Sequence, residues 1–273
     1  MAKDILFRAS GIGALMVGGN RITSKQLEEL QSLEQRRLKA IAGKDKPLTT
    51  NMESKLDELI AKRDAPFELG ETAKRFIEET WLREEFDYNE PMVTRQTLKG
   101  ELCEQDSIDL VSRMIPASSF RLKNRDTFKN SYVKGKPDVL LRPEKTVEDV
   151  KSSWTLRTFF EVTSSPELYF AQGQSYMDLT GLDHFRLIYV LVDTPSEIVA
   201  EEKKGFWFKY GCDSENQDYQ AISMQLEINH RYQHIPEEQR FKVFEFGRDD
   251  KYLDELKYRA KIARDYYRSL RLK

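Results

Sequence analysis

Apolar residues recur at helical spacing through the first third of the chain. Leu27, Leu30, Leu33 and Leu38 mark one stripe within 24–42; Met52, Leu56, Leu59 and Ile60 mark another within 50–63. Positions three and four apart share a helix face, so both segments read as amphipathic helices. The Gly43–Pro47 stretch between them carries turn residues, and the pair predicts a helical hairpin. A third helix is expected over 71–86, ending near the Tyr88–Pro91 stretch. Ser10 precedes Gly11–Met16 and has the character of an N-cap for a short helix.

The texture then changes. A helix over 98–114 carries Leu102, Ile108, Leu110, Val111 and Met114 and ends before Pro116. Three β-like runs follow at 118–126, 131–142 and 147–152, which together predict an antiparallel meander. Helices are expected at 154–161 and 166–180. Residues 184–192 are almost continuously apolar, the mark of a buried strand. Helices at 195–209 and 216–234, a strand at 240–246 and a last helix at 249–270 complete the chain. The order predicts an α/β (α+β) protein with a mixed central sheet flanked by helices. A helical N-terminal region, 1–95, would pack on a core of 96–273, most simply as one domain.

Composition narrows the function classes. Lys and Arg number 44 against 46 Asp and Glu, so the net charge of −2 excludes a globally basic nucleic-acid coat but not a local basic groove. Two cysteines, Cys103 and Cys212, cannot build a disulfide framework, an all-cysteine zinc site or an iron–sulfur cluster, and a reduced cytoplasmic setting is expected. No signal-peptide core opens the chain, no GxxxxGK[ST] loop occurs, and the longest apolar run, Leu187–Val192, is far short of a membrane span.

The chemistry concentrates after Gly135-Lys136-Pro137-Asp138. Eleven residues further on stands Asp149-Val150-Lys151. Side chains alternate along a strand, so Asp149 and Lys151 share a face, and Asp138 on the preceding hairpin strand can sit beside Asp149. Two close carboxylates repel and call for a cation. Hard oxygen ligands suit Mg²⁺ or Mn²⁺, and a lysine beside the ion can orient its water and offset phosphate charge. An ordinary hairpin with a surface salt bridge accounts for the same three residues. Two neighbours shift the balance. Gly100-Glu-Leu-Cys-Glu104 can aim a third carboxylate, Glu104, at the same place. Gln172 and Tyr176, four apart on a helix, form a polar pair suited to phosphate and sugar.

These elements, in this order and spacing, resemble the PD-(D/E)xK nuclease superfamily. Within it they are most similar to the RecB-like and lambda-exonuclease-like (YqaJ-type) phage nucleases, over most of residues 95–193. The resemblance implies a restriction-endonuclease-like core and metal-dependent hydrolysis of DNA phosphodiester bonds, most simply by an exonuclease acting on DNA ends in recombination or replication. It implies that Asp138, Asp149 and the Val150 carbonyl hold Mg²⁺ or Mn²⁺ and that Glu104 holds a second ion or a metal water. Lys151 would position the attacking water, and Gln172 and Tyr176 would orient substrate or the metal shell. An early serine of the family binds a DNA-end phosphate; Arg8-Ala-Ser10 looks similar. Lys134, Lys136 and Arg142 are placed in sequence to meet flanking phosphates. The setting implied is a bacterial or phage-infected cell, with a single-strand annealing or replication protein as partner and a homo-oligomer left open.

Other features carry less. His230 and His234 lie four apart, as in some zinc sites, but lack a visible third ligand and read as a solvated helix end. Glu201–Lys204 reads as a solvated charged face, and the basic end of the chain, Tyr266–Lys273, as a helix whose cations complement its dipole. A rival reading from another class is a non-catalytic DNA- or protein-binding adaptor on a degenerate nuclease fold, with the charged hairpin of 24–63 as its binding surface.

Overall fold

The computed structural model describes residues 5–20, 22, 24–89, 94–211 and 213–272; Pro91, Cys212, Lys273 and the first four residues, all used above, lie outside these. In chain order the elements are β1 (Phe7–Arg8), α1 (Ser24–Ile41), α2 (Thr50–Asp64), α3 (Glu71–Phe86), α4 (Arg95–Leu102), α5 (Glu104–Met114), β2 (Phe128–Lys129), β3 (Val133–Gly135), β4 (Val139–Leu141), β5 (Thr146–Ser152), α6 (Leu156–Glu161), α7 (Glu167–Thr180), β6 (His184–Val190), α8 (Ser196–Lys209), α9 (Gln217–Asn229), β7 (Phe241–Gly247) and α10 (Asp250–Ser269). Short 3₁₀ helices occupy Ile12–Met16 and Glu237–Gln239. Among the described residues no helix is long and apolar enough to cross a membrane.

The described residues divide into two compact units, one of 5–13 with 87–257 and the other of 14–86 with 258–272. In the second unit, Leu30 and Leu33 of α1 and Leu56 and Leu59 of α2 form the core of the expected hairpin, while Leu38 is exposed. Arg259 donates to the carbonyls of Leu15 and Met16, and the Tyr266 and Tyr267 hydroxyls reach Glu78 and Glu85 of α3.

The first unit holds a mixed sheet of order β4-β5-β6-β7 and a small sheet of order β1-β3-β2. The pair β5–β6 is parallel, whereas β4–β5 and β6–β7 are antiparallel. The expected meander is therefore corrected. The run 131–142 splits into β3 and β4, which belong to different sheets. Pro137 stands at the split and has no N–H to continue a ladder. The run 118–126 forms no strand and contributes a single bridge, Lys123 to Val139. The pairing of β3 with β1, parallel and far away in sequence, was not expected. The helix expected over 98–114 breaks at Cys103, whose Sγ–H donates to the carbonyl of Asp193.

One face of the sheet packs on α5: Ile108, Leu110 and Val111 meet Val139, Leu141, Val150, Ile188 and Val190 in a single apolar core. The other face takes α7, which approaches closely because Gly173 has no side chain. A Cβ there would stand 2.6 Å from the Phe185 ring. Charge inside this core is matched, since Arg121 holds Glu148 of β5 through two bonds of 2.8 and 3.1 Å. His230 corrects another expectation. It is 2% exposed, not solvated, because Thr194 and Glu202 satisfy its two ring nitrogens at 2.9 and 3.1 Å.

Candidate active site

Asp138 lies one residue before β4, and Asp149 and Lys151 project from β5 on the face turned to α7. The shared face follows from strand alternation, and Lys151 Nζ stands 2.5 Å from Asp149 Oδ2. Asp138 Oδ2 accepts the main-chain N–H of Val150 at 2.8 Å. That amide is free for a side chain because β4 begins only at Val139, so the ladder stops before it reaches Val150. A strand residue sends its N–H and C=O to the same edge, which turns the Val150 carbonyl toward Asp138 as well.

Helix α7 closes the site from below. Gln172 Nε2 donates to Asp149 Oδ1 at 3.2 Å and to the Tyr176 hydroxyl at 2.9 Å, and that hydroxyl donates to the Lys136 carbonyl at 3.3 Å. The i, i+4 pair is buried, not a solvated face. Glu104 opens α5 just after the Cys103 break, and its carboxylate is paired with Lys123. Lys123 had no signal of its own in the sequence. Tyr169 was also missed: its ring lies under Lys151 Nζ, 5.3 Å from the centroid.

The electrostatics follow from burial and like charge. The Asp138 carboxyl is pushed up to about 7, first by burial and then by the charge of Asp149, with a smaller contribution from Glu104; Lys151 and the Val150 amide oppose this. Burial alone would lower the Lys151 pKa, but the carboxylates of Asp149 and Asp138 outweigh it and hold the ammonium above its usual range. Burial raises the Tyr176 hydroxyl, which stays a neutral donor.

The donor set can be weighed against a divalent ion. Asp149 Oδ2 is buried and faces the Lys151 ammonium. Among the described residues no three of His, Cys, Asp and Glu form a ready-made cage, and lysines pair with Glu104 and Asp149. Mg²⁺ seldom uses such a cage; one or two carboxylates, water and a substrate phosphate suffice. Two desolvated carboxylates beside the Val150 carbonyl fit that requirement.

A second group of candidates meets nearby. Arg8, Ser10, Lys134, Lys136, Gly135, Thr127 and Tyr176 line a cavity of about 290 Å³. It depends on Gly135, where a Cβ would stand 2.7 Å from the Tyr176 ring and 2.8 Å from Ala9 Cβ. Tyr176 joins this basic cavity to the carboxylates through Gln172. Arg142 is not brought here; it lies in the turn at the far end of β4.

No family model and no curated protein sequence matches the chain. Solved structures do. A phage-related exonuclease from Haemophilus somnus 129PT superposes with a TM-score of 0.64 and 20% identity, over 97% of this chain and 94% of that one. An alkaline exonuclease from Laribacter hongkongensis gives a TM-score of 0.48 and 11% identity, over 73% of this chain and 81% of that one. The chain thus has the fold of the phage-related exonuclease, the fold that its Glu104, Asp138, Asp149-Val-Lys151 and Gln172/Tyr176 elements had suggested.

Proposed function

We propose that the protein is a Mg²⁺- or Mn²⁺-dependent deoxyribonuclease that removes nucleotides from DNA ends. One observation carries this reading: a buried pair of carboxylates, Asp138 and Asp149, with the Lys151 ammonium on the same face and Asp138 held neutral up to about pH 7 by burial and by Asp149. Such an arrangement is costly for folding alone and is suited to a cation and an anionic substrate. Asp138, Asp149 and the Val150 carbonyl would hold one ion, and Glu104, on release from Lys123, a second. Bound there, the ion supplies a Lewis acid for the phosphate and a water of lowered pKa.

The residues of the chain supply the rest. Lys151 keeps its proton, so it acts as a charge and hydrogen-bond donor to the phosphate and the attacking water, not as a base. Gln172 fixes the Asp149 carboxylate, and Tyr176 fixes Gln172. Arg8, Ser10, Lys134 and Lys136 would take a terminal phosphate, which favours DNA ends over internal sites. The exonuclease fold likeness supports a nuclease, and the sequence resemblance adds DNA as the substrate and a role in phage-type recombination or replication. The test is digestion of end-labelled linear, nicked and circular DNA with Mg²⁺, Mn²⁺, Ca²⁺ or chelator. Loss of linear DNA alone, with Mg²⁺ or Mn²⁺ only, is expected. Cleavage in excess chelator would overturn the metal mechanism, and no cleavage with any ion would favour the adaptor.

A further inference from the structure

Residues 118–124 run along the open edge of β4 with their side chains sorted by alternation. The Ser118 N–H donates to Glu144 at one end; at the other, Lys123 bridges Val139 and the Asn124 N–H donates to the Asp138 carbonyl at 2.7 Å. Arg121 turns inward to its two bonds with Glu148 and a third to the Ile115 carbonyl. Lys123 turns to Glu104. Phe120 and Leu122 are thereby forced outward, 92% and 75% exposed. Single exposed apolar residues are ordinary. Here two of them are held out by neighbours tied to both strands of the carboxylate site, in a segment spliced to Asp138 itself.

We propose that Phe120 and Leu122 form a stacking platform for the bases of an unpaired DNA strand threading the Asp138–Asp149 site. The inference rests on the nuclease reading above and names the substrate form. Aromatic faces beside cations are what single strands require, because every base has a π-face and every link a phosphate. Lys123 and Arg125 follow the two apolar side chains in sequence, Arg142 ends the β4 strand along whose edge the segment runs, and Arg125 and Arg142 are exposed. Three extended residue steps take the chain from Phe120 to Lys123, about 10 Å, or about three stacked base steps of ~3.4 Å. A platform at that offset would hold bases beside the phosphate being cut, independently of sequence.

The test measures binding of a fluorescein-labelled single-stranded oligodeoxynucleotide, in Ca²⁺, to the full chain and to Phe120→Ala/Leu122→Ala. A matched oligodeoxynucleotide with abasic sites near its end serves as comparison. Loss of base–aromatic stacking corresponds to roughly 5- to 150-fold in affinity. The wild type should prefer the normal strand by that factor, the double variant should lose the preference, and Phe120→Trp should keep it. Equal affinity of wild type and double variant for the normal strand would overturn the proposal. So would an oligomer that dissociates on sedimentation of the double variant, since the patch would then be a subunit interface. Cleavage by the wild type without base preference would sink this inference alone; base-dependent binding without cleavage under any ion would sink the nuclease reading alone.

Discussion

The Val150 main-chain N–H donates to Asp138 Oδ2 at 2.8 Å, so a carboxylate just ahead of β4 takes the place of the missing rung on β5. This bond locks Asp138 against the strand that carries Asp149 and Lys151. It stabilises the ionised form of Asp138, yet burial and the Asp149 charge prevail and leave the carboxyl near 7. The two carboxylates repel each other even with the Lys151 ammonium beside Asp149, and several consequences can be measured.

Asp138→Asn should stabilise the metal-free protein, because the amide keeps an acceptor for Val150 and removes the repulsion from Asp149. The same change should abolish the rise in melting temperature that Mg²⁺ or Mn²⁺ gives the wild type. Thermal melts of both proteins with and without each ion check this. A wild-type melt unmoved by either ion would count against a preformed site.

Lys151→Ala should spare metal and DNA affinity while single-turnover cleavage falls by ~10²–10³-fold, the usual loss on removing one charged stabiliser of the transition state. It should also lower metal-free stability, since the buried Asp149 Oδ2 would lose the Lys151 ammonium. Added Mn²⁺ should restore that stability but not the rate. Cleavage at the wild-type rate would remove Asp149-Val-Lys151 from the catalytic role.

Arg8→Ala should blunt discrimination between phosphorylated and dephosphorylated DNA ends by about tenfold, the worth of one charge-assisted contact. Arg8 lines the cavity with Ser10, Lys134 and Lys136 and not with Asp138, Asp149 or Lys151, so cleavage of unphosphorylated ends should change little. Rates on paired substrates differing only in the terminal phosphate measure this, and equal losses on both would place Arg8 elsewhere in binding.

Lys99 offers a pH test outside the site. It is fully buried, donates to the Trp154 carbonyl at 3.1 Å, and burial lowers its pKa from 10.5 to about 8, with Cys103 and Asp193 opposing. Between pH 8 and 10.5 the unfolded chain keeps a proton that the folded chain has released, so this group makes stability rise with pH across that window. Below pH 8 both states are charged and the burial cost is constant. Urea unfolding of wild type and Lys99→Met at pH 7.5, 9 and 10.5 should show the difference moving in favour of the wild type as pH rises. A constant difference would mean that Lys99 is not desolvated.

Local order in the sequence was enough for the helices of the hairpin and the buried strand β6, and it picked out Asp138, Asp149, Lys151, Gln172 and Tyr176, which the fold brings together. Periodicity and strand alternation are properties of neighbouring residues, and the faces they assign persist whatever packs against them. Tertiary structure decided the rest. Whether 131–142 is one strand or two depended on which distant strands were available, β1 for Val133 and β5 for Val139, with Pro137 unable to bridge them. Cys103 broke a helix because the Asp193 carbonyl lay within reach, and that break set Glu104 at a helix start. His230 could enter the interior only because Thr194 and Glu202 were there to satisfy both nitrogens, and Phe120 was turned out because Arg121 and Lys123 found acidic partners within. A polar group is buried or exposed according to the partner it meets across the fold, and that partner is not written in its own neighbourhood.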